Sequence, residues 1–366
     1  MKIGYFISTV GLSGGIKVIL QHVSLLKEMG YEAVPITRKM DGKLDVSDVP
    51  EEWIVSKKDN LDDVPNCDIY VGTQISDVEY LFKRKKGKIV HLCQGYEPIK
   101  YTERIKKEFM REKYLRGSVF SILRQYLDIL KSKRKIKRVE SIYALPTVKT
   151  AVSKHLVELI EKIYRQRCFL IQNGIDTDVF YPNGQRVWGK NGNIRILSVG
   201  SMRVGFKGIQ DILGAVKWLK DKGVNVHLIR VSPTRPSEEE LDGGIVDEFY
   251  EGLKEKEMAA LYRNADIFVS SSFEMEGFGL PAMEALASGV PSILTEISSY
   301  KDFDKEKDFA YFVPTHRPDK IVEGVLAFIE NKEWRESCIK KGLRVAGRYT
   351  LKITQEHLLN FMKEMV

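Results

Sequence analysis

"EMEGFGLPAMEALASGVP", residues 274 to 291, decides how this chain is read. It sets two carboxylates, Glu276 and Glu284, on either side of a Gly-Phe-Gly-Leu-Pro turn, between the apolar runs "DIFVSSS" and "VPSILTE". Gly277 and Gly279 are poor helix residues, whereas Pro281 suits the first helical position. Gly289 suits the left-handed residue that ends a helix. The stretch therefore predicts a strand, a glycine turn, a helix of about eight residues and a second strand.

The same alternation extends outward in both directions. A first series holds "KIGYFIS" (2 to 8), a helix over 16 to 29, "AVPIT" (33 to 37), "DIYVGT" (68 to 73), "KIVHLCQG" (88 to 95), "VKTAVS", a helix near 154 to 164 and "CFLIQNG" (168 to 174). A second holds "NIRILSVGS" (193 to 201), a helix over 208 to 222, "VNVHLIRVS", a helix near 254 to 263, and the stretch quoted above. Strand-length apolar runs alternating with helical periods predict an α/β chain of two doubly wound, Rossmann-like parallel sheets. Between the series, "NGIDTDVFYPNGQRVWGKNGN" is dense in turn formers and reads as a linker near 175 to 192. Ligands of such sheets bind beyond the carboxyl ends of the strands, which points to a cleft between the two domains.

Composition fits a soluble two-domain enzyme of 366 residues, 43% hydrophobic and 30% charged. Cys67, Cys93, Cys168 and Cys338 form no CxxC pair and the six histidines show no ligand spacing, so reduced thiols, a cytoplasmic location and no metal are expected. The opening "MKIGYFISTVGLSGG" has an apolar run of about six residues, too short for a signal core or a membrane span. The net charge of +8 is concentrated: residues 100–138 hold 14 Lys or Arg against 4 Asp or Glu. Tyr101, Phe109, Tyr114, Leu115, Val119, Phe120, Leu123 and Tyr126 interleave with those cations. The window reads either as a solvated helical face or as a surface that meets an anionic membrane or polyanion.

Free N–H groups at a helix N-terminus favour a phosphate or sugar hydroxyl approaching the glycine backbone. Two carboxylates oppose a bare phosphate but accept hydrogen bonds from sugar hydroxyls. A nucleotide sugar meets both demands.

On these residues the chain resembles retaining GT-B glycosyltransferases of the group-1 class (family 4). "EGFGLPAMEALASGVP" is similar to their E-x7-E signature, and "TVGLSGGIKVILQHVSLLKEMGYE", "QNGIDTDVF", "LSVGSMRVGFKGIQDILGAV" and "EFYEGLKEKEMAALYRNADIFVSSSFEMEGFGLP" match further segments in order. The resemblance implies two Rossmann-like domains facing each other across a cleft: residues 1–175 for the acceptor, residues 176–345 for the nucleotide sugar, and a helix in 346–366 that crosses back to the first domain. It implies that Glu284 accepts from ribose hydroxyls and Glu276 from the donor sugar. The backbone of Gly277, Phe278, Gly279 and Leu280 would meet sugar and diphosphate, and Lys207 would neutralise the diphosphate. Gly14, Gly15, Asn173 and Gly200 complete the implied donor set.

Two departures stand out. Ser201 follows Gly200 where the family has arginine, and Arg203 is expected to supply that charge, joining Glu276 and Lys207 as catalytic residues. Gln94 stands where the family often has histidine, with His91 expected to turn into the core, so the general base has no evident candidate. Gln94, Tyr96 and Glu97 are candidates for acceptor contact. "QGYEP" also resembles a stretch of bacterial surface-polysaccharide rhamnosyltransferases, which keeps deoxythymidine-diphosphate L-rhamnose among the donors. Base contacts are expected after "VHLIRVS" and around Tyr250 to Leu253. Asp302-Phe303-Asp304 spells the DxD of metal-dependent glycosyltransferases but follows the last catalytic segment in a charged loop, and is set aside.

The expected function is a retaining, metal-independent transfer, without a cofactor, from a nucleotide-diphosphate sugar to a glycan or lipid-linked acceptor of cell-surface polysaccharide or glycolipid synthesis. No nucleic-acid partner is expected, and the basic window leaves open a peripheral position on the inner face of the plasma membrane. The competing readings are a nucleotide-sugar 2-epimerase of the same fold and a basic polyanion-binding protein.

Overall fold

Apolar runs without polar alternation become strands covered on both faces. The computed structural model describes residues 1–7, 14–37, 53–55, 64–84, 87–103, 105, 119–182, 184 and 187–365. It divides into two units, Met1–Gly11 with Gly15–Leu170, and Leu12–Gly14 with Ile171–Val366.

The first unit runs β1 (Lys2–Ile7), α1 (Gly14–Glu28), β2 (Glu32–Thr37), β3 (Ile54–Val55), β4 (Ile69–Gly72), α2 (Ile75–Arg84), β5 (Lys88–Cys93), α3 (Val119–Tyr143), β6 (Val148–Ala151), α4 (Lys154–Tyr164) and β7 (Cys168–Leu170). Its seven-stranded sheet has the order β3-β2-β1-β4-β5-β6-β7 and is parallel throughout. Ile3, Tyr5, Phe6 and Ile7 of β1 are each at most 3% exposed, because strands stand on both sides of β1 and other elements cover both faces. The expected strands and helices all form, while β3 was not anticipated. Of the basic window, Phe109, Tyr114 and Leu115 lie outside the described residues. Leu123, Tyr126 and Leu127 of α3 are 54%, 59% and 46% exposed.

The second unit runs β8 (Ile194–Val199), α5 (Ile209–Asp221), β9 (Val226–Ser232), α6 (Glu238–Leu241), β10 (Glu248–Glu251), α7 (Glu255–Asn264), β11 (Ile267–Ser270), α8 (Leu280–Ala287), β12 (Ser292–Thr295), α9 (Ser298–Lys301), β13 (Tyr311–Val313), α10 (Pro318–Glu330), α11 (Lys332–Ala346) and α12 (Leu351–Met365). Its six strands take the parallel order β10-β9-β8-β11-β12-β13. Ile196, Ile212, Leu219, Leu228, Ile267, Ile293, Val325 and Phe328 fill its core without measurable exposure. Tyr250 lies in β10 and donates to Glu248, so the segment expected to be a base-contact loop is partly an edge strand. The helix expected at the C-terminus is α12. Thr354 Oγ1 donates to Gln172 O at 2.9 Å and the Gln172 amide donates to His357 Nδ1 at 3.0 Å, which ties α12 to the start of this unit.

His91 is fully buried, as expected, with its ring centroid 4.6 Å from that of Tyr143 and no hydrogen-bond partner for either ring nitrogen among the described residues. Burial lowers its pKa from 6.5 to about 3, and does the same to His22. The unfolded chain therefore takes up protons between these values that the folded unit refuses, so stability falls as pH drops from 6.5 toward 3, by up to about 1.4 kcal/mol per pH unit per histidine. Urea unfolding across this window should show that decline, and a shallower one in His91→Phe. Equal slopes would mean that His91 takes up its proton without opening the fold.

Candidate functional site

The second unit gathers its polar groups where two neighbouring strands end. β8 and β11 pair in parallel through Ile196 with Ile267 and Leu197 with Phe268, which sets the turn after β8 beside the turn after β11. Three hydrogen bonds join the turns: Phe273 N to Phe206 O at 2.7 Å, and Ser271 Oγ to Gly208 O at 2.7 Å and to Lys207 O at 3.3 Å. Across this junction Lys207 Nζ donates to Glu276 Oε2 at 2.5 Å, and Ser272 Oγ donates to the same oxygen at 3.3 Å. The lysine and glutamate side chains are 20% and 12% exposed, so the pair is partly shielded yet reachable.

The glycine turn and helix form as the sequence demands. Gly279 is the N-cap of the eight-residue α8 at φ 93°, and the space a side chain would need there is filled by Tyr300, whose Cε1 would stand 2.3 Å from a Cβ. Leu280 takes the first helical position and Pro281 the second, one later than expected, and Gly289 follows the helix at φ 69°. Phe278 is 4% exposed and packs on Phe303 and Tyr349, so its side chain is committed to the core. Glu284 is 6% exposed and accepts a hydrogen bond from Tyr262 Oη at 3.0 Å. Burial first, and then the Glu284 carboxylate, hold the Tyr262 phenol well above its ordinary pKa, which keeps it a donor.

The other expected residues are placed as follows. Gly200 is buried at φ 142°, Arg203 is exposed in the turn that follows, and Asn173 is 4% exposed with its Oδ1 unpartnered among the described residues. Gly14 and Gly15 open α1. Gln94 Nε2 donates to Gly15 O at 3.1 Å, and a Cβ on Gly15 would lie 2.9 Å from Gln94 Oε1. Tyr96 is 8% exposed and shares a hydrogen bond with Tyr164 at 3.0 Å. Glu97 accepts from Tyr143 Oη, and burial raises its pKa. Asp304 pairs with Arg348 and Phe303 is buried, so the DxD look-alike is committed to packing. No group of three or more His, Cys, Asp or Glu that could hold a metal occurs among the described residues. Tyr262 and Ser272 are the contributors that sequence reasoning missed. Tyr262 lies 22 residues before Glu284 and carries no local signature.

Residues 184–345 match the family model of glycosyl transferases group 1. The second unit carries a group-1 glycosyl transferase domain. The chain is similar to the MMP alpha-(1->4)-mannosyltransferase of Mycolicibacterium hassiacum, 30% identical over 177 residues, which cover 47% of this chain and 41% of that protein. The phosphatidyl-myo-inositol mannosyltransferase of Mycobacterium leprae is 23% identical over 194 residues, 52% of this chain and 51% of that protein. The chain thus spans about half the length of the curated relatives it matches. Beyond the group-1 domain, the fold as a whole is GT-B. Sucrose-phosphate synthase from Thermosynechococcus elongatus superposes with a TM-score of 0.76 at 15% identity, covering 100% of this chain and 99% of that one. Anabaena Alr3699/HepE in complex with UDP-glucose gives 0.73 at 12% identity, covering 100% of both.

Tyr262→Phe keeps the ring packing but strips one donor from a buried carboxylate, a change of roughly 1.5–3 kcal/mol for a bond to a charged group. Its cost in urea stability should shrink in a Glu284→Gln background. An undiminished cost would place the hydroxyl's contribution elsewhere.

Proposed function

We propose that the protein is a retaining, metal-independent glycosyltransferase of family 4, moving a hexosyl group from a nucleotide-diphosphate sugar to a glycan or lipid-linked acceptor in cell-surface polysaccharide or glycolipid synthesis. The observation that carries this reading is the Lys207–Glu276 pair of the group-1 domain, facing a glycine-bounded turn that leads into α8. Lysine and helix N-terminus together supply positive charge for the diphosphate, while Glu276 and Glu284 supply acceptors for the donor sugar and the ribose.

In the proposed step the bond from the sugar's anomeric carbon to the β-phosphate oxygen breaks, and its electron pair stays with the phosphate. The acceptor oxygen bonds to that carbon on the same face and passes its proton to the departing phosphate oxygen. Lys207, with Arg203 exposed on the same turn, offsets the charge that grows on the leaving group, and Glu276 orients the sugar. With cations and a helix terminus in that role, no metal is required. Gln94 and Glu97 are both partly exposed and remain acceptor candidates, whereas the Tyr96 hydroxyl is committed to Tyr164.

A thermal-shift screen against UDP, GDP, dTDP, ADP and their common sugars, with and without EDTA, tests the donor. One nucleotide family should stabilise the protein regardless of EDTA. No shift with any of them would favour the polyanion-binding reading, and turnover of UDP-N-acetylglucosamine without an acceptor would favour the epimerase. Lys207→Ala and Glu284→Ala should each remove a charge-assisted contact of roughly 1.5–3 kcal/mol, one to two decades in kcat/KM. Full transfer activity in both would overturn the site assignment.

The exposed apolar side chains of α3, set among Arg124, Lys131, Lys133, Arg134 and Lys135, support docking on an anionic leaflet, where a lipid-linked acceptor would be met. Vesicles containing anionic lipid should float the protein and neutral vesicles should not. Leu127→Glu should weaken flotation, and failure to bind either kind of vesicle would remove the idea.

A further inference from the structure

Arg230 sits inside β9 with no measurable exposure, between the apolar residues Ile229 and Val231. Its guanidinium has five N–H donors. Each has a partner: Nε donates to Glu240 Oε1 at 3.1 Å, one terminal nitrogen donates to Ser198 O at 2.7 Å and Ser198 Oγ at 3.1 Å, and the other donates to Gly200 O at 2.5 Å and Glu240 Oε1 at 3.0 Å. Glu240 is itself 4% exposed, and its second oxygen accepts from the amide and hydroxyl of Ser237 in the capping box of α6. A saturated, planar fork therefore grips the backbone where β8 ends and the turn to Lys207 begins.

The gripped carbonyl belongs to a residue of that turn that lies close beside the Lys207 stem. A Cβ on Gly200 would lie 3.3 Å from Lys207 Cγ and 3.4 Å from Cδ, so the bare glycine backbone is the floor under the lysine. Gly200 N also donates to Val231 O at 2.8 Å, so β9 fixes the peptides on both sides of Gly200 through Arg230 and its neighbour. We propose that Arg230, clamped by Glu240, is a positioning residue for Lys207: it fixes the Gly200 carbonyl and thereby the surface on which the Lys207 side chain lies toward the donor. The inference rests on the reading of Lys207 as the diphosphate contact.

A buried ion pair is weak as a source of stability, since desolvation consumes most of the attraction. What a five-donor fork supplies is geometry, which a lysine with three rotatable donors cannot reproduce. Near a reacting group a displacement of about 1 Å can cost about a hundredfold in rate.

The test is a double-mutant cycle on the full chain. Binding of UDP, GDP, dTDP and ADP is measured by calorimetry for Arg230→Lys and Glu240→Gln, each with Lys207 and with Lys207→Ala. In the Lys207 background each variant should weaken the nucleotide that binds by about tenfold. In the Lys207→Ala background the further loss should be under about twofold. Equal losses in both backgrounds would overturn the proposal and leave Arg230 as general support for the unit. Unchanged affinity in Lys207→Ala alone, or no binding of any of the four nucleotides to the unaltered protein, would instead overturn the reading of the site and the inference with it. Melting curves identify a variant that does not fold; should Arg230→Lys be one, the Glu240→Gln arm of the cycle decides by itself.

Discussion

The ion pair between Lys207 and Glu276 exists because β8 and β11, about 70 residues apart in sequence, are hydrogen-bonded neighbours in a parallel sheet. Parallel pairing sends both strand ends in one direction, so the turn that holds the cation and the turn that holds the carboxylate emerge side by side. The pair itself is partly exposed, and such pairs contribute about 1 kcal/mol or less. What holds the turns together is the uncharged set beneath it: Ser271 to the carbonyls of Lys207 and Gly208, and Phe273 to Phe206. Gly208 is bare at that junction, where a Cβ would stand 2.1 Å from Ser271 O. Charge is thus laid on a frame built from backbone and hydroxyl contacts, and it can be reassigned to a ligand without dismantling the frame.

The parts of this arrangement that were legible in the sequence are the local ones. Glycines 277 and 279, Pro281 and Gly289 report the backbone conformation of their own positions, and the helix formed within one residue of where they place it. Central strands were legible for a similar reason, since burial on both faces forces a continuous apolar run. The three strands not anticipated, β3, β10 and β13, are all at sheet edges. They are two, four and three residues long, and an edge strand has one neighbour to satisfy and less apolar surface to bury. Glu248-Phe249-Tyr250-Glu251 shows what that freedom does to composition, with a charge at each end.

Contacts between distant segments were not legible, although one left a trace. Tyr262 meets Glu284 only because α7 and α8 pack in the folded unit, and nothing in either segment announces it. Arg230 differs: a charged residue in the middle of "VNVHLIRVS", a run otherwise fit for a strand covered on both faces, requires a buried partner wherever that strand is central. Its partner, Glu240, follows ten residues later in "PSEEEL", where the Ser-x-x-Glu spacing also reads as a helix start. The two signals could have been combined without a structure.

In the first unit the carboxyl end of β5 presents an amide, Gln94, and no imidazole. His91 points inward against Tyr143 and is held neutral, and Gln94 is tied to Gly15. An amide cannot take a proton from an acceptor, and on the proposed reading that proton goes to the leaving phosphate. The group that governs the phosphate's charge then governs both halves of the reaction. A lysine that neutralised the diphosphate completely would leave its oxygen a poor base, and one held too far away would leave it a poor leaving group. Sharing Lys207 with Glu276 tempers its charge, and resting its stem on Gly200 limits its approach. On that reading distance, more than the presence of a cation, is the quantity that this turn has to control.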